Sequence, residues 1–196
     1  VCCIGCMSFI PGFIKRVVSE VAFMPPRPAG YHISESGEAF LLADLDTCTL
    51  DPLPNPPAQG VRVEVARMKT KKGNTIYGFH FRRLDSGRTV LFSHANSTDI
   101  GIMFAHSVEI CQKLRVDVFA YEYSGYGQST GTPSEKDIYA DIDAAFEYLV
   151  DGCAVRPERL ICYGQSIGSA PTLDLASRQP VGGLVLHSAL KSGLGI

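Results

Sequence analysis

The stretch Leu160-Ile161-Cys162-Tyr163-Gly164-Gln165-Ser166-Ile167-Gly168 joins a run typical of a buried strand to the start of a helical pattern. Its second half has the form G-x-S-x-G. A sharp strand-to-helix turn of this kind strains the serine backbone and lifts its hydroxyl above the sheet. The helix N-terminus behind the turn favours the negative charge that develops during nucleophilic attack. This context favours Ser166 as a catalytic nucleophile over a capping serine in a glycine-rich turn.

Strand and helix patterns alternate around this turn from residue 61 onward. They predict strands at 61–65, 75–81, 89–93, 116–123, 159–163 and 183–187, and helices at 102–114, after Thr132 and at 167–177. Lys71-Lys72-Gly73-Asn74 is typical of the turn that joins the first two strands into a hairpin. The order of elements predicts an α/β fold whose sheet is mostly parallel with an antiparallel start.

The helix after the fourth strand has a distinct predicted start. Thr132 is expected to cap it, with Pro133 at the first helical position and Glu135 completing a capping box. Its buried stripe is predicted from apolar residues at helical spacing, namely Ile138, Ile142, Phe146 and Leu149.

Composition divides the chain into three segments. Residues 1–24 form a cysteine-rich segment, and its apolar residues at helical spacing predict a short amphipathic membrane-anchor helix over 14–21. Residues 25–60 contain more than half of the twelve prolines and are expected to form a largely irregular linker. Residues 61–196 carry the regular pattern and are expected to form part of one α/β domain.

Three of the seven cysteines, here called the cysteine cluster, stand together at the front: Cys2, Cys3 and Cys6. Next to an amphipathic helix, such a cluster indicates S-palmitoylation, and two or more acyl chains anchor a protein stably. A buried thiol cluster, part of a metal site or the remnant of a signal peptide are the alternatives. The odd number and the apolar surroundings of the other cysteines favour a reducing compartment. We therefore expect peripheral attachment to the cytoplasmic face of a membrane, the plasma membrane or an endosome.

Charge and glycine patterns argue against phosphate-rich ligands. The net charge is -2, so no surface for nucleic acid is indicated. The glycine-rich run Tyr123-Ser124-Gly125-Tyr126-Gly127-Gln128-Ser129 lacks the G-x-x-x-x-G-K-[ST] pattern of a phosphate loop. It is better explained as a tight loop at the rim of an active site.

The loop Ser93-His94-Ala95-Asn96 follows the third strand of the regular region. In α/β-hydrolases this loop supplies one backbone N–H of the oxyanion hole, and the residue after the nucleophile supplies another. Here the donors would be Asn96, or alternatively Ala95, together with Ile167. The side chain of His94 comes too early in the chain for the usual order of nucleophile, acid and histidine, so a structural role is favoured for it.

Two later residues are weaker candidates for the acid and the base. His187 ends the last predicted strand, but no strand that carries an acid lies between it and Ser166. Asp174 falls inside the helix after the nucleophile, where a solvated or structural carboxylate is the simpler interpretation.

Longer runs of sequence resemble the α/β-hydrolase domain-containing 17 family, membrane-bound serine hydrolases that remove palmitate from proteins. The resemblance covers most of the chain. It rests on the cysteine cluster and on these runs: Ala22-Phe23-Met24-Pro25-Pro26, Val90-Leu91-Phe92-Ser93-His94, Tyr123-Ser124-Gly125-Tyr126-Gly127, Pro133-Ser134-Glu135-Lys136, Tyr139-Ala140-Asp141-Ile142-Asp143-Ala144-Ala145, Tyr163-Gly164-Gln165-Ser166-Ile167-Gly168 and Leu186-His187-Ser188.

The resemblance implies an α/β-hydrolase fold and S-depalmitoylation of membrane proteins through a Ser–Asp–His triad, with no metal or other cofactor. It also implies anchoring through the cysteine cluster. The chain departs from the family at Ala95, where glycine is usual, and it ends before the strands that carry the acid and the base. We therefore expect residues 1–196 alone to lack enzymatic turnover. A general lipid esterase, a serine peptidase of the same fold and a catalytically inactive membrane-tethered binding module remain the alternatives.

Overall fold

A computed structural model describes residues 22–44, 46–54, 58 and 60–190. The strands are β1 (Tyr31–Ile33), β2 (Ala39–Asp44), β3 (Thr49–Pro52), β4 (Arg62–Lys69), β5 (Thr75–Arg82), β6 (Thr89–Ser93), β7 (Asp117–Tyr121), β8 (Leu160–Gln165) and β9 (Gly183–His187). The helices are α1 (Phe104–Leu114), α2 (Glu135–Glu147) and α3 (Ser169–Arg178). The predicted anchor helix and the cysteine cluster lie outside the described residues.

The central sheet has six strands in the order β4-β5-β7-β6-β8-β9. β4 and β5 form an antiparallel hairpin, and β5 is also antiparallel to β7. β7, β6, β8 and β9 are mutually parallel along the sheet. The prediction of a mostly parallel sheet with an antiparallel start is therefore confirmed. The carboxyl ends of β6 and β8 lie side by side, since Ser93 pairs with Gly164, and this places their following loops next to each other.

Side chains that alternate along the strands build a core on each face of this sheet. In β6, Leu91 belongs to the core that lies under α2 and α3, whereas Val90 and Phe92 belong to the core under α1. The apolar stripe predicted for the helix after the fourth strand is buried in the first of these cores, at Ile138, Ile142, Phe146 and Leu149.

Part of the segment expected to be a largely irregular linker is instead a small antiparallel sheet in the order β1-β2-β3. Tyr31, Ile33 and Ala39 from this sheet are buried in the core under α1. The prediction of irregular structure was wrong there because most of the prolines lie outside the strands: Pro25, Pro26 and Pro28 precede β1, and Pro54 follows β3. Pro52 ends β3, which is an exposed edge strand, where proline is tolerated.

The start of α2 also differs from the prediction. Ser134, and not Thr132, is the N-cap, with extended backbone, and its hydroxyl accepts the Asp137 N–H at 3.2 Å. The Ser134 hydroxyl in turn donates to the Asp137 carboxylate. Asp137 therefore stands where the prediction placed Glu135, but its carboxylate accepts the hydroxyl of the N-cap residue and not the backbone N–H that a capping box would use. Thr132 and Ser134, on either side of Pro133, could both cap, and the one that follows the proline does so. Among the described residues, no helix is long and apolar enough to cross a membrane.

Candidate active site

Ser166 opens the turn between β8 and α3, directly after Gln165, the last residue of β8. Its φ of 52° lies in the left-handed region, which a residue with a Cβ rarely adopts. Backbone strain of this kind is typical of functional sites, where the surrounding structure holds it in place. The turn therefore has the conformation of a nucleophile elbow, with the serine side chain half-buried.

The two glycines of the elbow allow close backbone contacts. A Cβ on Gly164 would lie 2.6 Å from the Gly168 carbonyl oxygen and 2.7 Å from the Ser169 Cα. A Cβ on Gly168 would lie 2.7 Å from the His94 carbonyl oxygen and would also overlap the carbonyl oxygen of Ser93. The elbow is thus packed against itself and against the loop that follows β6, with no room for larger residues.

A cavity of ≈ 210 Å³ opens beside Ser166. Its walls are mostly apolar and are formed by Ala22, Phe23, Asn96, Glu135, Ile138, Tyr139, Ser166, Ile167, Ala170 and Leu190. Three residues proposed from the sequence, Ser166, Ile167 and Asn96, therefore meet at one cavity. The contribution of Phe23 and its neighbour is a feature that the sequence did not indicate.

Buried hydroxyl groups hold the loop after β6. The Ser93 hydroxyl lies 2.8 Å from the Tyr121 hydroxyl and accepts a hydrogen bond from Thr172 Oγ1 at 2.9 Å. The Tyr123 hydroxyl donates to the His94 carbonyl oxygen at 2.6 Å. Burial raises the pKa of Tyr121 and of Tyr123 well above the ordinary value, so both phenols keep their protons. The loop is therefore held in place by the buried hydroxyl groups of Tyr121, Tyr123 and Thr172, and these residues do not line the cavity.

The imidazole of His94 is completely buried beneath the same loop. Its Nε2 lies 2.9 Å from Glu122 Oε1 and its Nδ1 lies 2.8 Å from the carbonyl oxygen of Ala95. The buried Glu122 also accepts the backbone N–H of Ile100 at 3.3 Å and that of Tyr123 at 3.2 Å. These contacts are all within the protein interior, and His94 does not line the cavity beside Ser166.

The side chain of Asn96 ties the segment before β1 to the site. Its amide donates to the Ala22 carbonyl at 2.8 Å, and its oxygen accepts the Met24 N–H at 2.9 Å and the Tyr126 hydroxyl at 2.6 Å. These bonds fix the backbone on both sides of Phe23, at Ala22 and Met24, and Phe23 is thereby held in the wall of the cavity. Sequence reasoning treated Asn96 only as a backbone donor, because no local pattern links it to partners more than 70 residues away.

The two weaker candidates for base and acid stand apart from the cavity. His187 Nδ1 contacts the hydroxyl of Tyr163 at 2.9 Å, and His187 does not line the cavity beside Ser166. Asp174 pairs with Arg178 at 2.6 Å, one turn further along α3. Neither residue is placed to act on Ser166.

The glycine-rich loop Tyr123–Ser129 is held by a buried carboxylate that the sequence did not reveal. Asp141 accepts the backbone N–H of Ser124 at 2.7 Å and its hydroxyl at 2.6 Å. Burial raises the pKa of Asp141 to about 7, although these hydrogen bonds oppose the effect. Gly125, at φ 78°, packs so closely on Pro133 that a Cβ would lie 2.5 Å from its Cδ. The loop is thus compact, and the Tyr126 hydroxyl connects it to Asn96 at the cavity wall.

Among residues 22–44, 46–54, 58 and 60–190, no group of three or more His, Cys, Asp or Glu side chains is suited to hold a metal ion.

Comparison with solved structures identifies the fold. The chain resembles an α/β hydrolase from Vibrio vulnificus, with a TM-score of 0.66 and 23% identity over 93% of this chain and 60% of that one. It also resembles an esterase from Pyrococcus furiosus, with a TM-score of 0.57 and 20% identity over 66% of this chain and 51% of that one. The chain has the α/β-hydrolase fold. No protein-family model matches it.

Curated relatives define the family more closely. The whole chain aligns at 40% identity with the α/β hydrolase domain-containing protein aho-3 of Caenorhabditis elegans, and covers 57% of that protein. It aligns over its whole length with the α/β hydrolase domain-containing proteins 17B of Xenopus laevis and Homo sapiens, at 38% and 36% identity, and covers 66% of each. The chain belongs to the α/β-hydrolase domain-containing 17 family, and it spans 57% to 66% of the length of these relatives.

Proposed function

We propose that the protein is a serine hydrolase that removes palmitoyl and related fatty acyl groups from cysteine thiols of membrane proteins. The observation that carries the proposal is the strained elbow that presents Ser166 to an apolar cavity. A serine in this conformation is costly to maintain, and the glycines around it leave no room for a looser arrangement.

The chemistry follows from the residues that meet at the cavity. Ser166 Oγ attacks the thioester carbonyl, the cysteine thiolate leaves and takes up a proton, and water then cleaves the acyl-enzyme to release the fatty acid. The backbone N–H groups of Ile167 and Asn96, or of Ala95, stabilise the oxyanion of each tetrahedral intermediate. In this fold the base that activates the serine is a histidine that comes after it in the chain.

The lining of the cavity supports a fatty acyl group as the part of the substrate that enters it. Phe23, Ile138 and Ile167 present apolar surface next to the nucleophile, whereas the buried polar groups lie beneath the loop. An apolar cavity binds an acyl chain because the apolar surfaces of both are removed from water, and this gains a free energy of about 25 cal/mol per Å² of buried surface.

Membrane attachment is the second part of the proposal. We propose that the cysteine cluster is S-palmitoylated and holds the protein at the cytoplasmic face of the plasma membrane or of endosomes, where S-palmitoylated membrane proteins are its substrates. The hydrogen bonds of Asn96 with Ala22 and Met24 support this arrangement, because they tie the chain just after the predicted anchor helix to the active site.

The test uses the full-length gene product that contains this chain. Wild-type protein should react with a fluorophosphonate and should hydrolyse a palmitoyl thioester faster than the matching oxygen ester or amide. Ser166→Ala should abolish both properties, whereas Ser177→Ala, on the exposed face of α3, should leave them unchanged. Absence of labelling in the wild type would contradict the enzyme and favour a binding module. A preference for the oxygen ester or the amide would instead indicate a lipid esterase or a peptidase.

A further inference from the structure

We infer that His94 is a positioning residue for the oxyanion hole: its Nδ1–H holds the Ala95 carbonyl so that the next N–H, that of Asn96, faces the carbonyl oxygen under attack. This inference rests on the proposed function, in which Ser166 is the nucleophile. It assigns the imidazole a specific task beyond general support of the loop.

The first step concerns the hydrogen on the ring. The Ala95 carbonyl oxygen only accepts hydrogen bonds, so the contact of 2.8 Å requires a hydrogen on His94 Nδ1. The other ring nitrogen, Nε2, faces a carboxylate oxygen of Glu122 at 2.9 Å. Because the Ala95 carbonyl already requires the hydrogen on Nδ1, the contact between Nε2 and Glu122 Oε1 needs a second hydrogen between those two atoms.

The second step concerns the fixed orientation of the ring. Glu122 is itself held by the backbone N–H groups of Ile100 and Tyr123. The ring of Tyr123 packs against the imidazole of His94, with 4.2 Å between the two ring centroids. His94 and Glu122 are both fully buried, so solvent does not compete for these contacts. The imidazole therefore has one orientation, and its Nδ1–H has one direction.

The third step concerns the peptide between Ala95 and Asn96. In a planar trans peptide the C=O and the N–H point in opposite directions. Because the Ala95 carbonyl is turned inward to the buried ring, the Asn96 N–H is turned outward, to the side on which Asn96 lines the cavity with Ser166 and Ile167. Rotation of this peptide would remove the donor from the oxyanion.

Two substitutions at position 94 separate this task from simple packing. The amide nitrogen of Asn occupies nearly the place of His Nδ1, whereas that of Gln occupies nearly the place of Nε2. His94→Asn therefore keeps a donor for the Ala95 carbonyl and loses the contact with Glu122, and His94→Gln does the reverse. Both variants lose the ring from the core, so each serves as the stability control for the other.

In the full-length protein, His94→Asn should keep kcat within about threefold of the wild type. His94→Gln should lose about 100-fold in kcat with little change in KM, because loss of one oxyanion donor costs about 100- to 1000-fold in this parameter. Equal losses of kcat in the two variants, or a larger loss in His94→Asn, would overturn the inference.

Nuclear magnetic resonance gives readouts that do not depend on turnover. Long-range ¹⁵N–¹H correlations of His94 in the wild type should show a protonated Nδ1, and an unprotonated Nδ1 would overturn the inference even if the variants fail to fold. The Asn96 amide resonance should stay near its wild-type position in His94→Asn and move in His94→Gln. If wild-type protein shows no Ser166-dependent turnover, the proposed function fails, and these resonances still decide whether His94 sets the peptide.

Discussion

Replacement of Asp141 by Asn should change how the stability of the protein depends on pH. Asp141 is fully buried under the loop Tyr123–Ser129, and its carboxylate accepts two hydrogen bonds from Ser124. Burial raises its pKa from the ordinary 3.8 to about 7, with a further contribution from the negative charges of Asp137 and Glu122. Asn can accept the Ser124 N–H in the same place without a titrating proton.

The sign follows from the proton that each state holds. Between about pH 4 and pH 7 the folded protein keeps a proton on Asp141 that the unfolded chain has released, so a rise in pH favours unfolding. The free energy of unfolding falls by about 1.4 kcal/mol for each pH unit in this window, or by about 4 kcal/mol in total. Relative to the wild type, Asp141→Asn should therefore gain stability as the pH rises and should level off above about pH 7.

Another buried group, His80, changes the free energy of unfolding with pH in the opposite direction, and its contribution must be subtracted. Burial lowers the pKa of His80 from 6.5 to about 4, so this residue increases stability as the pH rises through the same range. His80 is present in both proteins, and its contribution cancels in the difference between their unfolding free energies. The difference, and not the wild-type profile alone, reports on Asp141.

The assay is urea unfolding of the wild type and of Asp141→Asn between about pH 5 and pH 8, each at 25 °C. Glu109→Gln is the matched control, because the hydrogen bond from Lys113 lowers the pKa of Glu109 and completes its titration below this range. Its difference from the wild type should be flat. A flat difference for Asp141→Asn as well would mean that the buried carboxylate is ionised throughout, and would refute the reasoning.

Three further predictions concern the site and the anchor. Ala95→Gly in the full-length protein should raise turnover if the methyl group of Ala95 crowds the oxyanion hole. The backbone of Ala95 does not have a positive φ, so relief of backbone strain would not explain a faster rate. An unchanged rate would show that the site tolerates alanine. Gly168→Ala should destabilise the fold by about 1–3 kcal/mol and abolish fluorophosphonate labelling, because the added Cβ overlaps the Ser93 carbonyl. The control Gly87→Ala places its Cβ in open space and should have neither effect. Equal unfolding midpoints for the two variants would contradict this prediction. Replacement of all three residues of the cysteine cluster by Ser, or treatment with hydroxylamine, should move the protein from the membrane to the soluble fraction, and unchanged retention would exclude a palmitoyl anchor.

The elements that sequence reasoning predicted well are those encoded locally. The run from Leu160 to Gly168 contains its own strand, its own glycines and the start of its own helix, so the elbow could be located without knowledge of the rest of the chain. The same holds for β6, whose continuous apolar run predicts a strand that is buried throughout. It also holds for α2, where the helical spacing of the apolar residues decides which side is buried.

The features that were missed depend on residues far apart in the chain. Asn96 binds Ala22 and Met24, which precede it by 74 and 72 residues, and no pattern in the sequence connects them. The small sheet was missed for a related reason. Its strands are short and lie between proline-containing stretches, and Tyr31 and Ile33 of β1 are buried against residues of the central sheet that lie far away in the sequence.

The placement of polar groups in this site follows from what the proposed substrate is. A fatty acyl chain offers no group for hydrogen bonding, so polar side chains on the cavity wall would be desolvated without compensation. Asn96, Glu135 and Tyr139 are part of the mostly apolar wall, whereas His94, Glu122 and Ser93 lie behind the loop after β6 and have partners within the protein. A buried network whose members are all paired costs little further free energy and gives the loop a single geometry. The backbone N–H groups can then be held rigidly while the surface proposed to meet the acyl chain stays mostly apolar.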